Sequence, residues 1–166
     1  MNKEIVFDLD GVMRDLLGYI CYKFSALPPD KWDWKHNNKN IFQLIKEDDY
    51  RALVDSHTTE YFSTIKKFTE APEIWTDQPE RWKKRTSLWL DNHLDTYTIK
   101  YLNNKEKRER LDEYKDTWLV EDSPNFTNYE RIILIDKTYN QDVDCPIRIK
   151  TLMELNFILN GIANDK

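Results

Sequence analysis

Glycine is scarce in this chain, with three in 166 residues and none arranged as a phosphate-cradling loop. That argues against a P-loop or dinucleotide-binding fold, because both need glycine where the backbone approaches a phosphate. Cysteine is scarcer still: Cys21 and Cys145 are too few and too far apart for a disulfide framework or a thiolate zinc motif. The three histidines, His36, His57 and His93, are scattered, which speaks against a histidine metal site. No apolar run approaches the length needed to cross a bilayer, and the first residues lack the apolar stretch of a signal peptide. The expectation is a soluble protein of a reducing, cytoplasmic compartment with no membrane partner. Positive charge is also in deficit. Lys and Arg total 25 against 30 Asp and Glu, a formal net charge of -5, so general attraction to nucleic acid is not expected, although a local basic groove stays open.

The length suits one domain of ordinary size, or one core with a modest insertion. The most informative stretch is Ile5-Val6-Phe7-Asp8-Leu9-Asp10-Gly11-Val12, an apolar strand-like run that delivers two carboxylates to a glycine turn. Alternate side chains of an extended segment point the same way, so Asp8 and Asp10 share a side unless the turn redirects them. Two such carboxylates repel unless a cation joins them. Mg2+ is the natural candidate, since it takes oxygen ligands and binds through one or two carboxylates together with a substrate phosphate. A carboxylate can also attack a phosphoryl group to form an aspartyl-phosphate. The competing reading, an Asp-Gly hairpin turn, fails because Val12 to Tyr22 reads as a helix and not as a returning strand.

Further along, Lys3 to Phe7 reads as a strand and Arg14 to Ala26 as a helix stopped by Leu27-Pro28-Pro29. Asp30 to Asn40, with Trp32, Trp34 and His36, is a polar, aromatic loop. Helical patterns follow at Ile41 to Val54 and Thr58 to Phe68, each with one apolar face. The second half alternates strand and helix: Glu73 to Trp75 leading into Thr76, a helix from Pro79 to Leu94, a strand from Thr96 to Leu102, a helix from Lys105 to Tyr114 and a strand from Asp116 to Val120. Strands at Arg131 to Ile135 and Pro146 to Ile149 and a closing helix from Leu152 to Leu159 complete the pattern. This spells an α/β fold, a three-layer Rossmann-like parallel sheet core (1–15 and 70–166) with a small helical cap (16–69) inserted after the first strand. Ligands in such sheets bind beyond the carboxyl ends of the strands. Three strand ends carry polar chemistry there: Asp8/Asp10, Thr76/Asp77 and Glu121/Asp122.

These residues resemble the haloacid-dehalogenase-like (HAD) phosphotransferase superfamily. Its first motif, an apolar strand followed by Asp-x-Asp-Gly, is matched by Asp8-Leu9-Asp10-Gly11; Thr76 fits the second motif, Lys107 the third with Lys105 as a rival, and Glu121-Asp122-Ser123-Pro124 the acidic fourth. Within the superfamily the chain looks most like the 5'(3')-deoxyribonucleotidase branch, through Asp15, Asp49-Tyr50-Arg51-Ala52-Leu53 and Trp89-Leu90-Asp91-Asn92-His93-Leu94. It departs from that branch at Leu16, where an aromatic residue is common, and its acidic pair is Glu-Asp in place of Asp-Asp.

The resemblance implies that Asp8 is the nucleophile and Asp10 the general acid and base, with its backbone carbonyl on the metal. Asp8 and Asp122 would hold Mg2+ by their side chains with Glu121 behind them. Lys107 and Thr76 would contact the phosphate, helped by backbone N–H groups near Leu9, Gly11 and Asp77. The function so implied is a Mg2+-dependent phosphomonoesterase acting on a small phosphorylated substrate, a nucleoside monophosphate. The rivals are a phosphatase for another small ester or a nucleic-acid 3'-phosphate, and a non-catalytic binding module. Trp32, Trp34, Phe42, Tyr61 and Phe62 either close over a base or, the favoured reading for aromatics at helical spacing, pack a core. Oligomeric state stays open.

Overall fold

In the computed structural model, which describes residues 4–126 and 129–164, six parallel strands form one sheet in the order β3-β2-β1-β4-β5-β6. These are β1 (Glu4–Phe7), β2 (Glu73–Thr76), β3 (Thr98–Tyr101), β4 (Thr117–Glu121), β5 (Ile132–Ile135) and β6 (Ile147–Ile149). The expected strand start at Lys3 lies outside the described residues. Strand residues alternate between the two faces, as a period of two dictates. Phe7, Ile74, Val120, Ile133 and Ile135 enter one apolar cluster, whereas Val6, Trp75, Leu119, Ile132 and Leu134 enter the other. Helices α5 (Lys83–His93) and α7 (Leu152–Asn164) cover the first face through Trp89, Leu90, Leu155 and Leu159. Helix α6 (Asn104–Glu113) covers the second through Leu111. Both faces are thus buried in a three-layer α/β sandwich of the Rossmann type.

Between β1 and β2 lie α1 (Leu16–Lys23), α2 (Ile41–Glu47), α3 (Ala52–Asp55) and α4 (Phe62–Phe68). The pattern from Ile41 to Val54 reads as one helix, but the chain breaks it at Asp48–Arg51. Asp49 and Tyr50 adopt positive φ there, and the Asp48 carboxylate accepts the Ala52 N–H at 3.0 Å, capping the next turn. Side chains of the 16–69 stretch enter two apolar clusters. Leu16, Ile20, Leu44, Ile45, Ala52 and Leu53 build a separate small core completed by Trp82. Tyr61, Phe62 and Ile65 of the α4 segment join the main core instead, and α4 packs on α7. No helix among the described residues is long and apolar enough to cross a membrane.

Candidate active site

The central strands run parallel, with Phe7 in register with Val120 on one side and Ile74 on the other, so their carboxyl ends open on the same edge. Asp8 follows β1, Glu121 ends β4 with Asp122 just after it, and Thr76 ends β2 with Asp77 just after it. All eight residues singled out in the sequence (Asp8, Asp10, Gly11, Thr76, Asp77, Lys107, Glu121, Asp122) line one cavity of about 540 Å³ at this edge.

Lys107 reaches the cavity from α6. Asn103 caps that helix, accepting from the Lys105 and Glu106 N–H groups while Glu106 reaches back to the Asn103 N–H, which sets its register. The helix is almost wholly charged, but Lys107 and Leu111, four residues apart, share its inward face. Only 2% of Lys107 is exposed, and its Nζ donates to Asp8 Oδ1 at 2.6 Å and Glu121 Oε2 at 2.9 Å. Lys105 is excluded from the cavity: its exposed side chain pairs with Glu109.

The three buried carboxylates of Asp8, Glu121 and Asp122 each place an oxygen within 4.8 Å of those of the other two. Glu121 is fully engaged, since its Oε1 accepts the Asp122 and Ser123 N–H groups at 3.1 and 3.2 Å. Asp122 Oδ2 accepts the Tyr139 hydroxyl, and the Asp122 carbonyl accepts Asn140 Nδ2 at 2.9 Å. Burial, reinforced by the neighbouring Glu121 charge, holds the Asp8 carboxyl well above the usual range and pushes Asp122 up to about 7. Burial alone would discharge Lys107, but the charges of Asp8 and Glu121 outweigh it and raise its pKa. One lysine therefore faces three carboxylates. An all-oxygen, buried and under-neutralised donor set of this kind fits a hard divalent cation such as Mg2+, with Asp8 and Asp122 as the side chains able to hold it.

Asp10 stands apart from that cluster. The segment after β1 turns back on itself: Met13 and Arg14 both donate N–H to the Leu9 carbonyl, and Gly11 donates to the Arg14 carbonyl at 2.8 Å. The turn sends the Asp10 carboxylate to Arg14 Nε, 2.7 Å from Oδ1, and to Gln78 Nε2 on Oδ2. Two expectations are corrected here. Arg14 is not the first residue of a helix; α1 begins at Leu16, capped by Asp15, whose Oδ1 accepts the Gly18 N–H. The Gly11 N–H is committed to Arg14 and is not a free phosphate donor. Gly11 instead supplies a φ of +85° and the space that the Asp122 carboxylate fills, since a Cβ would collide with it.

Arg14, Gln78 and Tyr139 were not legible as site residues. Arg14 is hidden inside a helical pattern, and Tyr139-Asn140 reads as an ordinary turn. The far wall of the cavity is aromatic: Trp32, Trp34, Phe42 and Trp82 line it, with Trp32 and Phe42 about half exposed. Trp32 also leans on Tyr139, their ring centroids 5.6 Å apart. The core reading thus holds for Tyr61 and Phe62, whereas Trp34 packs against the small core and lines the cavity at once, and Trp32 and Phe42 are half exposed on the cavity wall. Leu16 lines the cavity too, whereas Trp89 is buried in the core, stacked on His93.

No family model matches the chain, and no curated protein matches it by sequence. Among solved structures it is similar to a HAD-superfamily hydrolase, subfamily IA, variant 1, from Geobacter sulfurreducens PCA. The two share 12% sequence identity over 95% of this chain and 96% of that one, with a TM-score of 0.53. At that identity the likeness concerns the path of the backbone: the protein has the fold of a HAD-superfamily hydrolase.

Proposed function

We propose that this protein is a Mg2+-dependent phosphomonoesterase that works through an aspartyl-phosphate on Asp8, with nucleoside monophosphates, deoxy forms foremost, as substrates. The observation that carries the reading is the Asp8 carboxylate at the central strand edge, held by Lys107 at 2.6 Å with two further carboxylates beside it and a cavity before it.

An anion attacking a phosphate dianion needs nearby positive charge. Mg2+, held by Asp8 and Asp122, would supply that charge when bound. Lys107 supplies the rest, and it also fixes the rotamer of Asp8. In the first half-reaction an Asp8 oxygen forms a bond to phosphorus while the bond to the leaving oxygen breaks and Asp10 gives that oxygen its proton. In the second, Asp10 takes a proton from water, the water oxygen bonds to phosphorus, the bond to Asp8 breaks and inorganic phosphate leaves. The Thr76 hydroxyl and the N–H groups of Leu9 and Asp77 would receive the phosphate oxygens at this edge. Glu121 acts through others: it anchors Lys107 and braces the turn that carries Asp122.

The aromatic wall supports the nucleotide assignment. The cavity lies within the size range of small-ligand sites, and flat rings opposite an anion site suit a substrate with a phosphate at one end and a planar base at the other. The region around α1 to α3, which supplies much of that wall, is assigned as the cap over the reacting phosphate. A phosphate-release screen across nucleoside monophosphates, sugar phosphates and aryl phosphates, with and without Mg2+, tests the assignment. Mg2+-dependent preference for a deoxynucleoside monophosphate is expected. Preference for a sugar phosphate would remove the nucleotide assignment, and silence across the panel would favour a binding module.

A further inference from the structure

Arg14 is a fully buried charge that the proposed chemistry does not use directly. Its Nε donates to Asp10 Oδ1 at 2.7 Å, its Nη1 donates to the Leu53 carbonyl in α3 at 2.8 Å, and its guanidinium carbon lies 5.5 Å from the centre of the Trp89 ring. On the other carboxylate oxygen, Gln78 Nε2 donates to Asp10 Oδ2, and the Thr86 hydroxyl from α5 donates to Gln78 Oε1. The Thr86 hydroxyl can donate or accept and so suits either end of the amide; the acceptor-only Asp10 carboxylate is what calls for the Nε2 end. The carboxylate is therefore gripped from two sides, by groups anchored in α3 and α5.

Stability alone gives little reason for this arrangement. The Arg14 side chain is wholly buried and a quarter of the Asp10 side chain is exposed, and replacing an ion pair drawn out of water by apolar side chains of similar volume is often neutral or stabilising. Arg14 Nη2 has no hydrogen-bond partner among the described residues, so the guanidinium is held by its Asp10 and Leu53 bonds. What the grip does achieve is orientation. Each Asp10 oxygen keeps a second lone pair, and with both oxygens anchored the carboxylate cannot rotate away from the leaving group.

We infer that Arg14, together with the Gln78–Thr86 pair, is a positioning device that holds Asp10 where its proton reaches the departing oxygen. The inference rests on the phosphomonoesterase reading and deepens it. In the first half-reaction, the one that kcat/KM reports, the clamp then matters only where the leaving oxygen needs a proton; the later attack of water is common to all esters. Benzyl phosphate leaves as an alkoxide and requires one; p-nitrophenyl phosphate, similar in shape, leaves as a stable phenolate and does not.

The test is kcat/KM for both esters, in Mg2+, for the wild type, Arg14→Lys and Gln78→Met. The Lys variant keeps the buried charge but loses the fork, and the Met variant releases the opposite oxygen without touching Arg14, so a folding defect in one leaves the comparison readable in the other. The expected result is a loss of about 100-fold on benzyl phosphate, the scale of general acid catalysis, with less than about 5-fold on p-nitrophenyl phosphate. Equal losses on both esters, or no loss on either, would overturn the inference while leaving the phosphatase reading intact. A wild type that cleaves only the nitrophenyl ester would also overturn it, because Asp10 would then not be acting as the acid. A wild type silent on both esters would remove the phosphatase reading, and the inference with it.

Discussion

At the scale of single residues, the site depends on one atom that is missing. Gly11 has no Cβ, and the Asp122 carboxylate lies where that Cβ would be, while its φ of +85° is one that L side chains rarely adopt. Gly11→Ala is therefore strained in backbone and in contact at once, and at least about 1 kcal/mol of stability should be lost. Urea unfolding monitored by tryptophan fluorescence would show a lowered midpoint at unchanged slope; an unchanged midpoint would mean that Asp122 sits elsewhere. The glycine after the aspartates was legible as a turn signal. Its contact with a residue more than a hundred positions away was not, because only the pairing of β1 with β4 brings the two together.

Helix α6 shows the same division at the scale of the element. In sequence it is a run of charges that reads as a solvated face, and register alone separates Lys107 from Lys105. The cap at Asn103 and the inward Leu111 decide it, turning Lys107 toward Asp8. Lys105→Ala should shift stability by no more than about 0.5 kcal/mol, as exposed substitutions do. Lys107→Met should lower the stability of metal-free protein by about 3 to 5 kcal/mol, because it strands buried carboxylates without their cation. Denaturant melts of the two variants in chelator would check this, and equal effects would contradict the burial of Lys107. Elements whose information is local were legible: the described strands and α6 fall close to where periodicity and the Asn103 cap place them, whereas α5 starts at Lys83 and not at Pro79, and α7 runs on through Gly161 to Asn164, past its expected end at Leu159. The break between α2 and α3 was not legible, since it depends on Asp49 and Tyr50 adopting positive φ. Nor was the position of α4, whose apolar face fits a cap or a core equally well until the fold offers it α7.

At the scale of the whole molecule, the site is a cluster of like charges that folding must bury. Asp122 ordinarily titrates near 3.8 but is pushed up to about 7 in the folded protein, first by burial and then by Glu121; Asp8 moves the same way. Between those values the native state holds a proton that the unfolded chain has released, so this contribution to stability is present at low pH and is lost as pH rises toward 7. Chelator-treated protein should accordingly melt at a lower temperature at pH 7.5 than at pH 5. Mg2+ should reverse the trend, because it binds the deprotonated ligands; at a hundred times its Kd it adds about 2.7 kcal/mol. Scanning calorimetry across that range, with and without Mg2+, would reveal it, and a metal-independent profile would argue against a cation among Asp8, Glu121 and Asp122.

In the proposed reaction Asp8 carries the phosphoryl group. Rapid acid quench of the protein with radiolabelled phosphate ester and Mg2+, followed by mapping of the labelled peptide, would trap that intermediate. Label should appear on the peptide containing Asp8 and be lost in Asp8→Asn together with turnover while the variant still folds. Turnover in Asp8→Asn, or label on any other residue, would contradict that role.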